Sequence, residues 1–193
     1  SDCLVGSEMC IRDSIWIKNT SNSWISWLKN PEKTNRICTW SSMVCVGNQH
    51  LADFATQHND NVIIIPTTID TEHHHNTIKK HVKNKAGEVV CIGWTGSHST
   101  LPYLKNIEGA LKAIQQRHNI CFKIIADKTP QELTIPFDFE EWNIVHEIDQ
   151  LQDIDIGIMP LPNEEWAKGK CAFKALQYPV SYTHLTLPTT TIV

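Results

Sequence analysis

Short apolar runs alternate with amphipathic stretches along most of the chain. Ser42-Met-Val-Cys-Val-Gly-Asn48 is an apolar run closed by Gly-Asn, which predicts a strand followed by a turn. Leu51, Phe54 and Ala55 share one helical face that ends near His58-Asn59-Asp60. Asn61-Val-Ile-Ile-Ile-Pro66 predicts a second buried strand, stopped by its proline. Upstream, Trp16, Trp24, Ile25, Trp27 and Leu28 are dense but aperiodic, and Ile15 to Asn35 reads as a loop and a helix. Thr67 to Lys85 then loses apolar content and gains Thr, His, Lys and Asn, the composition of a linker. Beyond it the alternation restarts, with strands predicted at Glu88–Trp94, Ile120–Ala126, Trp142–Ile148 and Ile154–Leu161. Leu104, Ile107, Leu111 and Ile114 recur at spacings of three and four, so Leu101–Arg117 should be a helix. Strands separated by crossover segments predict a mostly parallel α/β sheet.

Composition narrows the function classes. At 193 residues and 41% hydrophobic, the chain is long enough to bury a core in one domain or two small ones. Its formal net charge of -4 argues against a general nucleic-acid binder. No run approaches the roughly 20 apolar residues that a spanning helix needs. The seven cysteines are dispersed, odd in number and never in a C-x-x-C pair. Cys45, Cys91 and Cys121 fall inside apolar strand-like runs, which suits buried free thiols in a reducing cytoplasm better than a disulfide framework.

Two segments carry candidate chemistry. Asp155-Ile-Gly-Ile-Met-Pro-Leu-Pro162 reads as a buried strand, and Asn163 to Tyr178 as a polar loop entering a helix. Lys168, Gly169, Lys170 and Lys174 would bring ammonium groups and a close-approach glycine to the carboxyl edge of an open sheet, where ligands of such sheets bind. Gly93-Trp94-Thr95-Gly96-Ser97-His98-Ser99-Thr100 joins a strand to a helix, and Ser97, Ser99 or Thr100 can cap that helix while its N–H groups face a diphosphate. The loop is not G-x-G-x-x-G, and taken bare it is an ordinary Gly-rich turn with a Ser cap. Asp153-x-Asp155 reads as a solvated strand entrance rather than a metal pair. His73-His74-His75 reads as polar linker, because no further ligand completes a zinc set. No Ser-His-Asp or Cys-His arrangement assembles from the spacing, and His98 alone reads as a loop residue.

The Lys-Gly-Lys-Cys-x-Phe-Lys-x-Leu-Gln-Tyr segment at Lys168–Tyr178 resembles the donor site of group 1 glycosyltransferases of the GT-B fold. Ile-Gly-Trp-x-Gly-Ser-x-x-Thr at Ile92–Thr100, Val46-Gly47-Asn48-x-x-Leu51-Ala52 and Pro66-Thr67-Thr68-Ile69-Asp70 resemble the same family in the same order, over Ile15 to Tyr178. The resemblance implies Rossmann-like parallel sheets, with residues 15–66 the end of an N-terminal acceptor-side domain, 67–85 the linker and 86–178 a truncated C-terminal nucleotide-sugar domain. It also implies a retaining transfer of sugar from a UDP- or GDP-sugar to a glycan or lipid-linked acceptor, without metal or organic cofactor. The expected setting is bacterial surface-polysaccharide synthesis in the cytoplasm or at the inner face of the plasma membrane, with peripheral membrane association. Lys170 and Lys174 would neutralise the leaving diphosphate, and Gly93, Thr95, Gly96, Ser97, Gly169, Gln177 and Glu165 would line the donor site. In the commoner family pattern two glutamates eight residues apart hold the donor; here the second matches Gln177 and the first Gly169, so the acidic pair is absent. That departure keeps two rivals open: a phospholigand-binding module without transfer, and a sugar-nucleotide epimerase of related architecture.

Residues 1–14 and 179–193 resemble translated sequencing-adapter read-through, and Ser1 to about Arg12 and Val180 to Val193 are expected to lie outside the sheets, although Thr, Leu and Ile in the second would also suit an edge strand. A second expectation is that Gly93–Thr100 and Lys168–Lys174 emerge together at the carboxyl edge of one sheet.

Overall fold

The computed structural model describes residues 8–17, 32–73, 75, 89–171, 173–180 and 184–186. Most of the stretch expected to hold the first helix, and residues 76–85 of the expected linker, lie outside the described residues. The chain divides into two units, Ser1–Thr68 with Asn163–Phe173, and Ile69–Pro162 with Lys174–Val193.

The first unit holds β1 (Glu8–Ile11), α1 (Glu32–Trp40), β2 (Met43–Val46), α2 (Gln49–Ala55) and β3 (Val62–Ile64). Its strands form a parallel sheet in the order β1-β2-β3. Ile11, Val44, Val46, Cys38, Leu51 and Ala55 make the core, and Asn48 caps α2 by accepting the Leu51 N–H at 2.9 Å. Two expectations change here. The early segment does not lie outside the sheet: Glu8–Ile11 pairs with Met43–Val46, and Ile11 is only 1% exposed. The alternation of Met9 and Ile11 suits a strand with one face on the core, enough to pair along the edge of β2. Conversely, β3 is shorter and less buried than expected, because it closes the other edge and leaves Ile63, Ile64 and Ile65 exposed.

The second unit continues with β4 (Val90–Gly96), a 3₁₀ segment (Leu101–Ile107), α3 (Glu108–Gln115), β5 (Ile120–Ala126), β6 (Asp138–Glu141), α4 (Glu147–Gln152) and β7 (Ile156–Ile158). The chain crosses α5 (Glu165–Lys168), which belongs to the first unit, and returns through α6 (Phe173–Val180) to β8 (His184–Thr186). All five strands are parallel, in the order β6-β5-β4-β7-β8. Ile92, Trp94, Phe122 and Ile124 pack on Leu104 and Leu111, while Ile125, Leu151, Ile154 and Tyr178 form a second cluster.

Local departures from the sequence pattern have local causes. The helix expected at Leu101–Arg117 opens as a 3₁₀ segment with Pro102 near its start. Thr100 sits at its cap position, but its hydroxyl bonds back to the Ser97 carbonyl at 3.0 Å instead of capping. The strand expected at Trp142–Ile148 forms earlier, at Asp138–Glu141. Asn143 accepts the Val145 N–H at 2.9 Å, an Asx-type turn that takes the chain out of the ladder and leaves Val145 79% exposed. The terminal segment joins the sheet as well, since His184–Thr186 pairs with Ile156–Ile158. Among the described residues no helix is long and apolar enough to cross a membrane.

Gly93 of β4 and Gly157 of β7 have packing reasons. A Cβ on Gly93 would run into Ile154, and one on Gly157 into the ring of Tyr178, whereas Gly109 in α3 has open space. Gly157→Ala should therefore destabilise the second unit by about 1–3 kcal/mol through overpacking. Gly109→Ala should stabilise it by up to about 1 kcal/mol through helix propensity. Urea unfolding followed by circular dichroism reads both, and equal effects would contradict this packing.

Candidate functional site

Strand order locates the site. From β4 the chain moves outward through β5 to β6, then returns across the sheet to β7 and β8 on the other side. The reversal falls between β4 and β7, and ligands of open α/β sheets bind outside the carboxyl ends of strands at such a switch point. Here the two strands pair only at Ile92↔Ile156 and Gly93↔Gly157. One step further, the Thr95 N–H donates to the Tyr178 hydroxyl at 3.1 Å, and that hydroxyl donates to the Ile158 carbonyl at 3.4 Å. The phenol bridges the two strand ends from α6. It is fully buried, and burial pushes its ionisation above the ordinary tyrosine range.

Four residues before Tyr178, and so on the same face of α6, stands Lys174. Its Nζ donates to the Thr95 carbonyl and lies 4.9 Å above the Trp94 ring. A Cβ on Gly96 would meet both the Trp94 ring and the Lys174 ammonium, so glycine leaves room for the cation at the strand end. The structure thus brings Thr95, Gly96 and Lys174 together. Gly93 lies deeper in β4, covered by Ile154. Ser97 turns back on the loop, with its Oγ 2.8 Å from that of Ser99. Gln177 is buried, and its Nε2 donates to Glu147 at 3.2 Å. Trp142 Nε1 donates to the same carboxylate oxygen at 3.2 Å, so Glu147 fixes how Gln177 is presented.

The remaining predicted site residues belong to the first unit, so the Lys168–Lys174 segment is divided between the two units after Phe173. Lys170 pairs with Asp13 at 2.7 Å and lies 4.8 Å over the Trp166 ring. Asn48 Nδ2 donates to the carbonyls of Lys168 and Lys170, at 3.2 and 3.4 Å. A Cβ on Gly169 would strike Ser14, so this glycine accommodates chain. Glu165 pairs with Lys168, whose hydrogen bond holds its carboxyl below the usual range. These contacts anchor the segment up to Phe173.

Sequence reasoning missed the residues that shape the neighbouring loops. His98 uses its backbone N–H and Nδ1 on the two oxygens of Asp127, each at 2.5 Å, and its hydrogen bonds hold Asp127 below the usual carboxylate range. His98 borders a cavity of about 540 Å³ between the 3₁₀ segment and the loop after β5, lined by Leu101, Lys105, Lys128, Pro130 and Leu133 among others. Next in the chain to Leu133, Thr134 is held by Glu108, which accepts its N–H at 2.5 Å and its hydroxyl at 2.8 Å. At the opposite, amino edge, Asp153 pairs with Lys123 at 2.6 Å and Asp155 accepts the Cys91 N–H at 2.9 Å. Among the described residues no group of three or more His, Cys, Asp or Glu is placed to hold a metal ion.

No family model matches the chain, and no curated protein matches it. Sixteen solved chains do, among them one titled "OtsA apo structure", at 11% identity and a TM-score of 0.52. The fold is of the Rossmann-like GT-B type. The match covers 84% of this chain and 49% of that one, so this chain spans about half of its structural neighbour.

Glu108 supplies a pH test of the contact that holds Thr134. Hydrogen bonds from the Thr134 backbone and hydroxyl lower its folded-state pKa below the ordinary 4.5. The stabilisation is complete above that value and is lost as pH falls through the lower folded value. Exchange protection of the Thr134 amide, corrected for intrinsic rate, should hold from pH 7 to about 5 and decline below about 4.5, and Glu108→Gln should lower it at every pH. Protection unchanged down to pH 3 would contradict the assignment.

Proposed function

We propose that the parent enzyme transfers a sugar from a nucleoside-diphosphate sugar to an acceptor, and that the second unit binds the donor. The observation that carries this is the Lys174 ammonium, held over Trp94 at the switch point between β4 and β7. A cation there meets the negative charge that develops on a departing diphosphate. Thr95, Gly96 and Ser97 line the same strand end, and Gly93 sets the depth of the strand beneath them. Lys170, which pairs with Asp13 within the first unit, is carried as a donor-binding cation by the motif resemblance alone. Gly169 and Glu165 lie on the same segment as Lys170, and Gln177, oriented by Glu147, takes the place of the ribose-binding carboxylate. The GT-B fold supports a glycosyltransferase reading. A UDP- or GDP-sugar as donor, a glycan or lipid-linked acceptor, the group 1 assignment, retention of configuration, surface-polysaccharide synthesis and action at the inner face of the membrane belong to the proposal. The foreign origin of residues 1–14 and 179–193 belongs to it too.

One observation favours a binding module without transfer: Gly169 and Gln177 stand where the family's acidic pair would be. Product analysis with labelled UDP- and GDP-sugars separates the two, since a binding module retains nucleotide affinity and releases no sugar.

In the restored full-length enzyme, Lys174→Ala and Lys170→Ala should each weaken UDP or GDP binding by about 1.5–3 kcal/mol, the worth of a charge-assisted hydrogen bond, and lower turnover. Lys112→Ala, on the exposed face of α3, should leave both unchanged. Isothermal titration measures the effect and identifies the base. Wild-type affinity in both variants would remove the basis for the donor site.

A further inference from the structure

We propose that Cys91 and Cys121 form a redox modification site at the amino edge of the second unit's sheet, a dithiol that a hydroperoxide converts to a disulfide. The two residues are direct partners in the parallel pairing of β4 and β5. Neighbouring strands lie about 4.8 Å apart, within the Cα separation of roughly 4.4–6.8 Å that a disulfide spans. Alternation places both side chains on the face that carries Gly93 and Lys123, so the two thiols are cross-strand neighbours. Gly93 puts no side chain beside Cys91 on that face.

Their environments give the two sulfurs different roles. Cys91 is buried, and burial, with the neighbouring Cys121 adding to it, pushes its thiol up to about 12. Cys121 is partly exposed and is the sulfur that a small oxidant reaches. Its thiolate attacks the O–O bond of the peroxide, giving a sulfenic acid and releasing the other oxygen, with a proton, as water from hydrogen peroxide or as an alcohol from an organic hydroperoxide. The Cys91 sulfur then attacks the sulfenic sulfur. The S–O bond breaks as S–S forms, and the oxygen leaves as water with the Cys91 proton. Two electrons pass from the sulfurs to the peroxide, and a reducing thiol reverses the change. The product would tie the two central strands together on the edge remote from the switch point.

The full chain, exposed to hydrogen peroxide under native conditions, alkylated and digested, should yield a Cys91–Cys121 linked peptide two hydrogens lighter than its separate parts. The linkage should disappear with dithiothreitol, and the urea midpoint should rise reversibly when it forms. Cys91→Ser should leave Cys121 as a sulfenic acid that dimedone labels, and Cys121→Ser should leave Cys91 unoxidised. Circular dichroism establishes that both serine variants fold. Cys10 and Cys45 hold the same register in the first unit and provide an internal comparison. A Cys121 recovered as free thiol or as sulfinic acid after such exposure, or linked to any cysteine other than Cys91, would overturn the proposal.

Discussion

The Tyr178 hydroxyl is the interaction on which the second unit's carboxyl edge depends. β4 and β7 part after a short ladder, and parted strands leave backbone groups that must find partners inside the protein. A phenol both accepts and donates, so one oxygen serves the Thr95 N–H and the Ile158 carbonyl together. The ring below it fits because residue 157 has no Cβ. Glycine in the strand, tyrosine on the helix and the gap between strands are a single packing solution, and Lys174 reaches Thr95 because α6 is docked by that ring.

Much of this was legible in the sequence. Strands β2, β4, β5 and β7 follow their apolar runs, and the 3₁₀ segment with α3 follows the spacing of Leu104 and Leu111, because each of these elements is fixed by buried apolar residues. Thr95, Gly96 and Lys174 were accessible through the resemblance of two short motifs, which the structure brings to one strand end. Pattern misleads where a short polar side chain acts on the backbone. Ile144 and Val145 look like strand residues, yet Asn143 redirects the chain before them.

Contacts between residues distant in sequence were not legible. Nothing in periodicity pairs Asp127 with His98, Glu108 with Thr134, or Lys170 with Asp13, because each is one charged side chain meeting a loop that folds back from elsewhere. The split of the Lys-Gly-Lys segment was hidden for the same reason. Local sequence describes a loop entering a helix, and contacts such as Asn48 gripping its carbonyls show where the loop is anchored.

The four-residue interval between Lys174 and Tyr178 bears on how such chains tolerate insertion and deletion. A residue gained or lost between them rotates one side chain by about 100° relative to the other around the helix axis. With the tyrosine seated over Gly157, the ammonium would then point away from β4. Loops on this scaffold are free to drift in length, whereas this one turn of helix behaves as a fixed ruler, and related chains aligned with a gap inside it are aligned wrongly.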